Sequence, residues 1–162
     1  MEEKYFVNLK FCVFVAGWLI LPVCPLRHYY FVDKPLTWSE AQTYCRQKYT
    51  DLVTIENAAV MSQIQELVSS SHHNTGFWIG LYSTINWKWS DGLAGNPELY
   101  WSDGSSFSWS NFIPFGTLMG WQTVLCAFTS VKEEMQWRLK SCEARLPFVC
   151  YSPHGDVPQG GG

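Results

Sequence analysis

The sequence predicts one α+β domain with two helices, short antiparallel sheets and a long irregular loop region, braced by disulfides. Three observations carry that prediction. Apolar residues recur at three- and four-residue steps twice, at Trp38, Ala41 and Cys45 and at Val60, Ile64, Leu67 and Val68. Short apolar runs, FWIGL at 77–81, VLCAF at 124–128 and FVCY at 148–151, have the length of core strands. From Tyr82 to Gln122, Gly, Ser, Asn, Pro and Trp dominate, and four cysteines (Cys45, Cys126, Cys142 and Cys150) flank that stretch.

The chain's 162 residues give room for one domain of ordinary size. At its start, Lys4 and Lys10 precede an apolar run from Phe11 to Leu21. That run suits a signal peptide and falls short of the ~20 residues needed to span a bilayer. The expected organisation is a signal peptide at 1–24, a domain at 25–151, a flexible tail at 152–162 and secretion to the extracellular side. Cys12 lies in the leader. Cys24 stands at its end and, if it survives processing, could link two chains through a disulfide. In a secreted chain the four body cysteines should be oxidised, and four cysteines allow three pairings. No CxxC pair is present, which argues against zinc.

A strand is expected from His28 to Val32, ended by Lys34–Pro35. Thr37 and Glu40 have capping-box spacing for the first helix, so Trp38, Ala41 and Cys45 should face inward. Asn57 can cap a second helix reaching Val68, and SSSHHNTG ends it. In the loop region WSDG occurs at 89–92 and at 101–104, read as two Trp-anchored turns shaped by Asp–Gly. A loop region this long within a compact domain is usually functional. The stretch MQWRLKSCEARLPFVCY, 135–151, reads as two short strands around a turn with a cysteine in each half.

Composition excludes some functions. The net charge is −3, with Lys and Arg scattered singly, so no basic face for nucleic acid is expected. Ser and His adjoin in SSSHH at 69–73, but sequence neighbours rarely form a triad, and no Gly-x-Ser-x-Gly elbow exists. That His pair reads as a solvated helix end. Glu133 and Glu134, taken as consecutive strand residues, would point to opposite faces. No catalytic constellation emerges, so the chain is read as no enzyme.

The combination of Cys45 in the first helix, FWIGL at 77–81, Cys126, Trp137, Cys142 and PFVCY at 147–151 resembles the C-type lectin-like fold over roughly residues 26–151. The stretch from Arg27 to Asn57 is also similar to secreted lectin-like proteins of bony fishes. The resemblance implies the pairs Cys45–Cys150 and Cys126–Cys142. On the loop-entropy model, closing about 105 and about 16 residues contributes about 4.7 and about 3 kcal/mol.

Calcium takes roughly six to eight oxygen ligands. In sugar-binding members of this family, Glu-Pro-Asn or Gln-Pro-Asp supplies some of them, and Asn and Asp after a Trp supply others. Here Trp137 is followed by Arg138 and Leu139, a cation and an alkyl group. Pro114 has Ile113 and Phe115 as neighbours, and no carboxylate lies between Asp103 and Glu133. The sugar-site calcium is therefore expected to be lost, leaving no cofactor. Asp91, Glu98 and Asp103 lie in one loop region; a residual calcium there is the alternative, and the expectation is that they shape turns or face water.

Trp89, Trp101 and Trp109 are expected to pack under the loops. Gly116 and Gly120 bracket an apolar turn, so Phe115, Leu118, Met119 and Trp121, with Arg138, are the candidate ligand-binding residues. The expected function is a carbohydrate-binding-type recognition module, holding a glycan or protein ligand without calcium. The alternatives are a module dedicated to a protein ligand, or ice binding, for which no Thr-rich regularity is present.

Overall fold

The computed structural model describes residues 27–84, 98–112 and 124–153. The expected leader with Cys12 and Cys24, the residues Phe115, Leu118, Met119 and Trp121, the first WSDG turn with Trp89 and Asp91, and the chain from 154 onward lie outside them. Along the chain come β1 (Arg27–Leu36), α1 (Trp38–Lys48), β2 (Asp51–Leu52), α2 (Ala58–Ser70), β3 (Phe77–Thr84) and β4 (Glu98–Trp101). They are followed by β5 (Leu125–Thr129), a 3-10 turn (Val131–Glu133), β6 (Arg138–Ser141) and β7 (Leu146–Pro153).

Both helices begin as their residue types dictate. The Thr37 hydroxyl accepts from the Glu40 N–H at 3.3 Å, and the Thr37 N–H donates to Glu40 Oε2 at 2.9 Å. That reciprocal pair satisfies two donors that would otherwise lack partners at the start of α1. Asn57 Oδ1 accepts from the Val60 N–H at 2.9 Å and starts α2. Trp38, Ala41 and Cys45 are buried along α1, and Val60, Ile64, Leu67 and Val68 along α2.

The strands form a single mixed sheet in the order β1-β7-β3-β5-β6, with β2 added to β7 and β4 to β3. Short antiparallel sheets were the expectation, and the antiparallel pairings are present. They merge because β7 runs beside β3, in a parallel contact pairing Trp78 with Phe148. Both of these strands are buried on both faces, as a parallel contact requires.

Alternate residues divide the core in two. Tyr29, Phe31, Phe77, Ile79, Leu81, Ala127, Val149 and Tyr151 point to the side covered by α2. Val32, Trp78, Cys126, Phe148 and Cys150 point to the side covered by α1. The disulfides Cys45–Cys150 and Cys126–Cys142 have Cα separations of 5.4 and 5.0 Å. Gly80 makes the close approach between β3 and the β2 segment. Its N–H donates to Val53 O at 2.8 Å, and a Cβ there would sit 2.9 Å from the same oxygen.

Three local readings need correction. Lys34–Pro35 does not end β1: pairing resumes at Leu36↔Leu146 after a shift beyond Val32. The intervening residues sit out of the ladder, where proline's missing N–H removes no bond. Part of the long loop, 98–101, is a strand pairing with β3. The two strands of 135–151 form around a turn as read, with β6 on β5 and β7 on β1 and β2. The tail begins later than expected, because Ser152 and Pro153 still pair with His28 and Arg27.

Candidate binding surface

Trp137 is the hub beneath the loops. It is fully buried, and three rings meet it edge-on: Trp101 at 5.5 Å, Trp109 at 5.4 Å and Phe112 at 5.4 Å between centroids. Each such contact is worth about 0.5–1.5 kcal/mol beyond area burial. The backbone reinforces it: Trp137 N–H donates to Asn111 O at 2.9 Å, and Asn111 Nδ2 donates to Met135 O at 2.9 Å. The Trp137 indole N–H is buried and has no acceptor among the described residues. Trp101 and Trp109 therefore pack as expected, whereas Phe107 stands 40% exposed at the rim.

The residues after Trp137 are committed to the scaffold. Arg138 Nη1 lies 3.1 Å from Glu133 Oε1 in an exposed ion pair. Leu139 turns to the opposite face and packs against the core cluster under α2. The position of Glu133 also corrects the strand reading of Glu133–Glu134. Glu133 ends a 3-10 turn, and Glu134 and Met135 both adopt left-handed backbone, with φ of 55° and 58°. That costly conformation is held by Ser130, whose carbonyl accepts from Glu133 at 3.2 Å and Met135 at 3.0 Å. Met135 is fully buried.

The second WSDG turn is locked from below. Asp103 accepts from the Thr54 hydroxyl at 2.8 Å, the Tyr151 hydroxyl at 2.8 Å and the Ser105 N–H at 2.9 Å. Burial pushes its carboxyl up, but the hydrogen bonds from Ser105, Thr54 and Tyr151 outweigh that and hold it below the usual value. Burial, with the Asp103 hydrogen bond and charge, raises the Tyr151 phenol well above its ordinary range. Ser102 joins the turn to α1 and β2, donating to Asp51 at 2.6 Å and receiving Gln42 at 2.7 Å and, through its carbonyl, Arg46 at 2.9 Å. Gly104 closes the turn at φ 79°, its N–H donating to Trp101 O at 3.0 Å. Glu98 accepts a hydrogen bond from the Tyr100 hydroxyl. Asp103 and Glu98 are thus used in turn-shaping and strand-edge contacts. Among the described residues, no three His, Cys, Asp or Glu side chains gather as a metal site would need.

Of the candidate residues, the structure places Arg138 beside the Trp137 hub; Phe115, Leu118, Met119 and Trp121 lie outside the described residues. Sequence reasoning missed exposed Tyr100, 41% accessible, whose signal was the strand alternation in ELYW. The His pair is no merely solvated helix end. His73 Nε2 lies 2.6 Å from Asp33 Oδ2, and His72 adopts left-handed backbone at φ 57°.

Residues 34–152 match the family model described as the lectin C-type domain. The chain belongs to this family. This lectin domain is 31% identical to rat (Rattus norvegicus) lithostathine over 127 residues, covering 75% of this chain and 70% of that protein. It is also 31% identical over 121 residues to human lymphocyte antigen 75, of which it spans 6%. The solved structure of human lithostathine superposes with a TM-score of 0.63 at 24% identity, covering 79% of this lectin chain and 92% of that one. These likenesses establish the family and leave the fish branch an expectation. Among the described residues, no helix of the lectin is long and apolar enough to cross a membrane.

Proposed function

We propose that this chain is a secreted, non-catalytic recognition module. Its loop surface, around Arg138 and the residues Phe115, Leu118, Met119 and Trp121, takes a glycan or protein ligand without calcium. One observation carries the reading. The two side chains after Trp137 present no oxygen ligand, and both already have other work, Arg138 with Glu133 and Leu139 packed against the core. A calcium ion does not fit that pair. A guanidinium beside the site would repel it, and an alkyl chain offers nothing to replace its water. The exposed rim ring, Phe107, gives an apolar surface of the kind that stacks on sugar C–H faces or anchors a protein partner.

The test is a glycan array run in calcium and again in EDTA, with the mature chain and its Trp121→Ala and Phe115→Ala variants. Equal binding in both buffers, weakened by either variant, is the expected result. Binding that disappears in EDTA would overturn the calcium reading, and binding indifferent to both variants would overturn the choice of surface. Mass measurement of the secreted chain, reduced and non-reduced, checks cleavage near residue 24 and any dimer through Cys24.

A further inference from the structure

Strand pairing creates an open face on the α1 side of the sheet. Tyr82 pairs with Tyr100 across β3 and β4, and Thr84 pairs with Glu98. Side chains two residues apart on a strand share a face. Glu98 and Tyr100 therefore stand beside Thr84 and Tyr82, on the side where Tyr82 packs against the α1 cluster. On β5, Cys126 lies opposite Tyr82 and carries the disulfide to Cys142. The helix stops short of this face. Its first residue, Trp38, meets the Tyr82 ring at 5.3 Å between centroids, and Gln42 reaches Ser102, two residues past Tyr100. Tyr100 itself stays exposed.

The two phenol rings form one platform, with centroids 5.9 Å apart and planes inclined by 33°. Glu98 stands at its edge and accepts from the Tyr100 hydroxyl. That hydrogen bond, then burial and the Glu98 charge, raise the Tyr100 phenol above its ordinary range, against the opposing hydrogen bond with Thr84. The ring therefore stays neutral and fixed. An ionised carboxylate has about four acceptor positions, so one bond from Tyr100 leaves Glu98 able to accept more. A sugar ring complements this arrangement. Its faces carry C–H groups that lie on aromatic rings, and its rim carries hydroxyls whose bonds to a carboxylate are of the strong, charge-assisted kind. The carboxylate disfavours an acidic sugar. Size points the same way. The paired positions extend about 10 Å across three strands and about 7 Å along them. A stable protein interface takes about 800 Å² from each partner, far more than this face offers, whereas one or two sugar rings fit it.

We propose that the Tyr82–Tyr100 face binds a neutral saccharide without calcium, one sugar ring lying on the phenol rings with its hydroxyls donated to Glu98. The site shares no residue with the loop surface. The test is saturation-transfer NMR on the full mature chain in EDTA, titrated with neutral disaccharides of glucose, galactose, mannose and N-acetylglucosamine. Saturable binding of at least one of them is expected. Tyr100→Leu, which keeps an apolar side chain on the strand and removes the ring, should weaken it about tenfold with the melting temperature unchanged. Glu98→Gln should weaken it about threefold, because a neutral acceptor replaces a charged one. Phe107→Ala, which removes the exposed ring at the loop rim, should leave it unaltered. The proposal is overturned if none of the disaccharides binds, or if either Tyr100→Leu or Glu98→Gln binds at full strength. It is equally overturned if losing Phe107 costs more affinity than losing Tyr100, which would put the sugar on the loop surface.

Discussion

The two sides of the sheet are held by different means. On the α1 side, both disulfides pass through or beside the core cluster, and the buried indoles are satisfied. Trp38 Nε1 donates to Ile79 O at 2.9 Å and Trp78 Nε1 to Leu36 O at 3.0 Å. On the other side, no disulfide crosses the described core. An aromatic hub and one carboxylate hold the loops there, and the hub's own indole N–H lacks an acceptor among the described residues. Covalent bracing fixes the frame, while ring contacts and hydrogen bonds fix the surface that frame presents.

That contrast can be broken most forcefully on the braced side. Replacing Cys45 and Cys150 together by Ala should cost about 4.7 kcal/mol at most, read as a fall in the urea midpoint. Trp137→Ala should cost about 4 kcal/mol, in the range for a buried aromatic removed from a core. It should also release residues 107–112, visible as faster amide exchange there than at β1 and β7.

Asp103→Asn comes next, at about 2 kcal/mol near neutral pH, because it weakens three hydrogen bonds to a carboxylate. The folded carboxyl titrates below its unfolded value. Its contribution is therefore fully present above the unfolded pKa of about 4 and is lost as pH falls through the folded one. Urea unfolding at several acidic pH values should show the gap between wild type and Asp103→Asn closing as pH drops.

A finer comparison sets one indole against another. Trp78→Phe strands the Leu36 carbonyl, whereas Trp137→Phe removes a donor that has no acceptor among the described residues. The first should cost about 1 kcal/mol more than the second. Smallest of all, Arg138→Ala should change stability by about 0.5 kcal/mol, as expected for an exposed ion pair. A larger loss would mean that the Arg138–Glu133 pair supports the turn.

Elements whose cause is local were legible in the chain. The capping box at Thr37 and Glu40, the cap at Asn57 and the apolar spacing of both helices depend on residues within one or two turns, and each formed as read. The core strands at 77–81 and 148–151 announced themselves by continuous apolar runs. Bonds formed across the fold were not legible. Nothing near Lys34–Pro35 says that the strand will resume at Leu36, because its partner is Leu146. ELYW paired with β3 for a similarly distant reason. The disulfide pairing came through family resemblance, since the spacing of four cysteines alone left three choices. At the candidate surface, the presence of Arg138 and Leu139 directly after Trp137 was plain in the sequence. Their new occupations, with Glu133 and in the core, required the left-handed turn at Glu134 and Met135, which residue types there do not advertise.

The most direct measurement for the central claim is calorimetric titration of calcium into the mature, disulfide-intact chain at neutral pH. No saturable heat, and the same melting temperature in calcium as in EDTA, is the expected result. A saturable isotherm, with a melting temperature raised by several degrees in calcium, would contradict it.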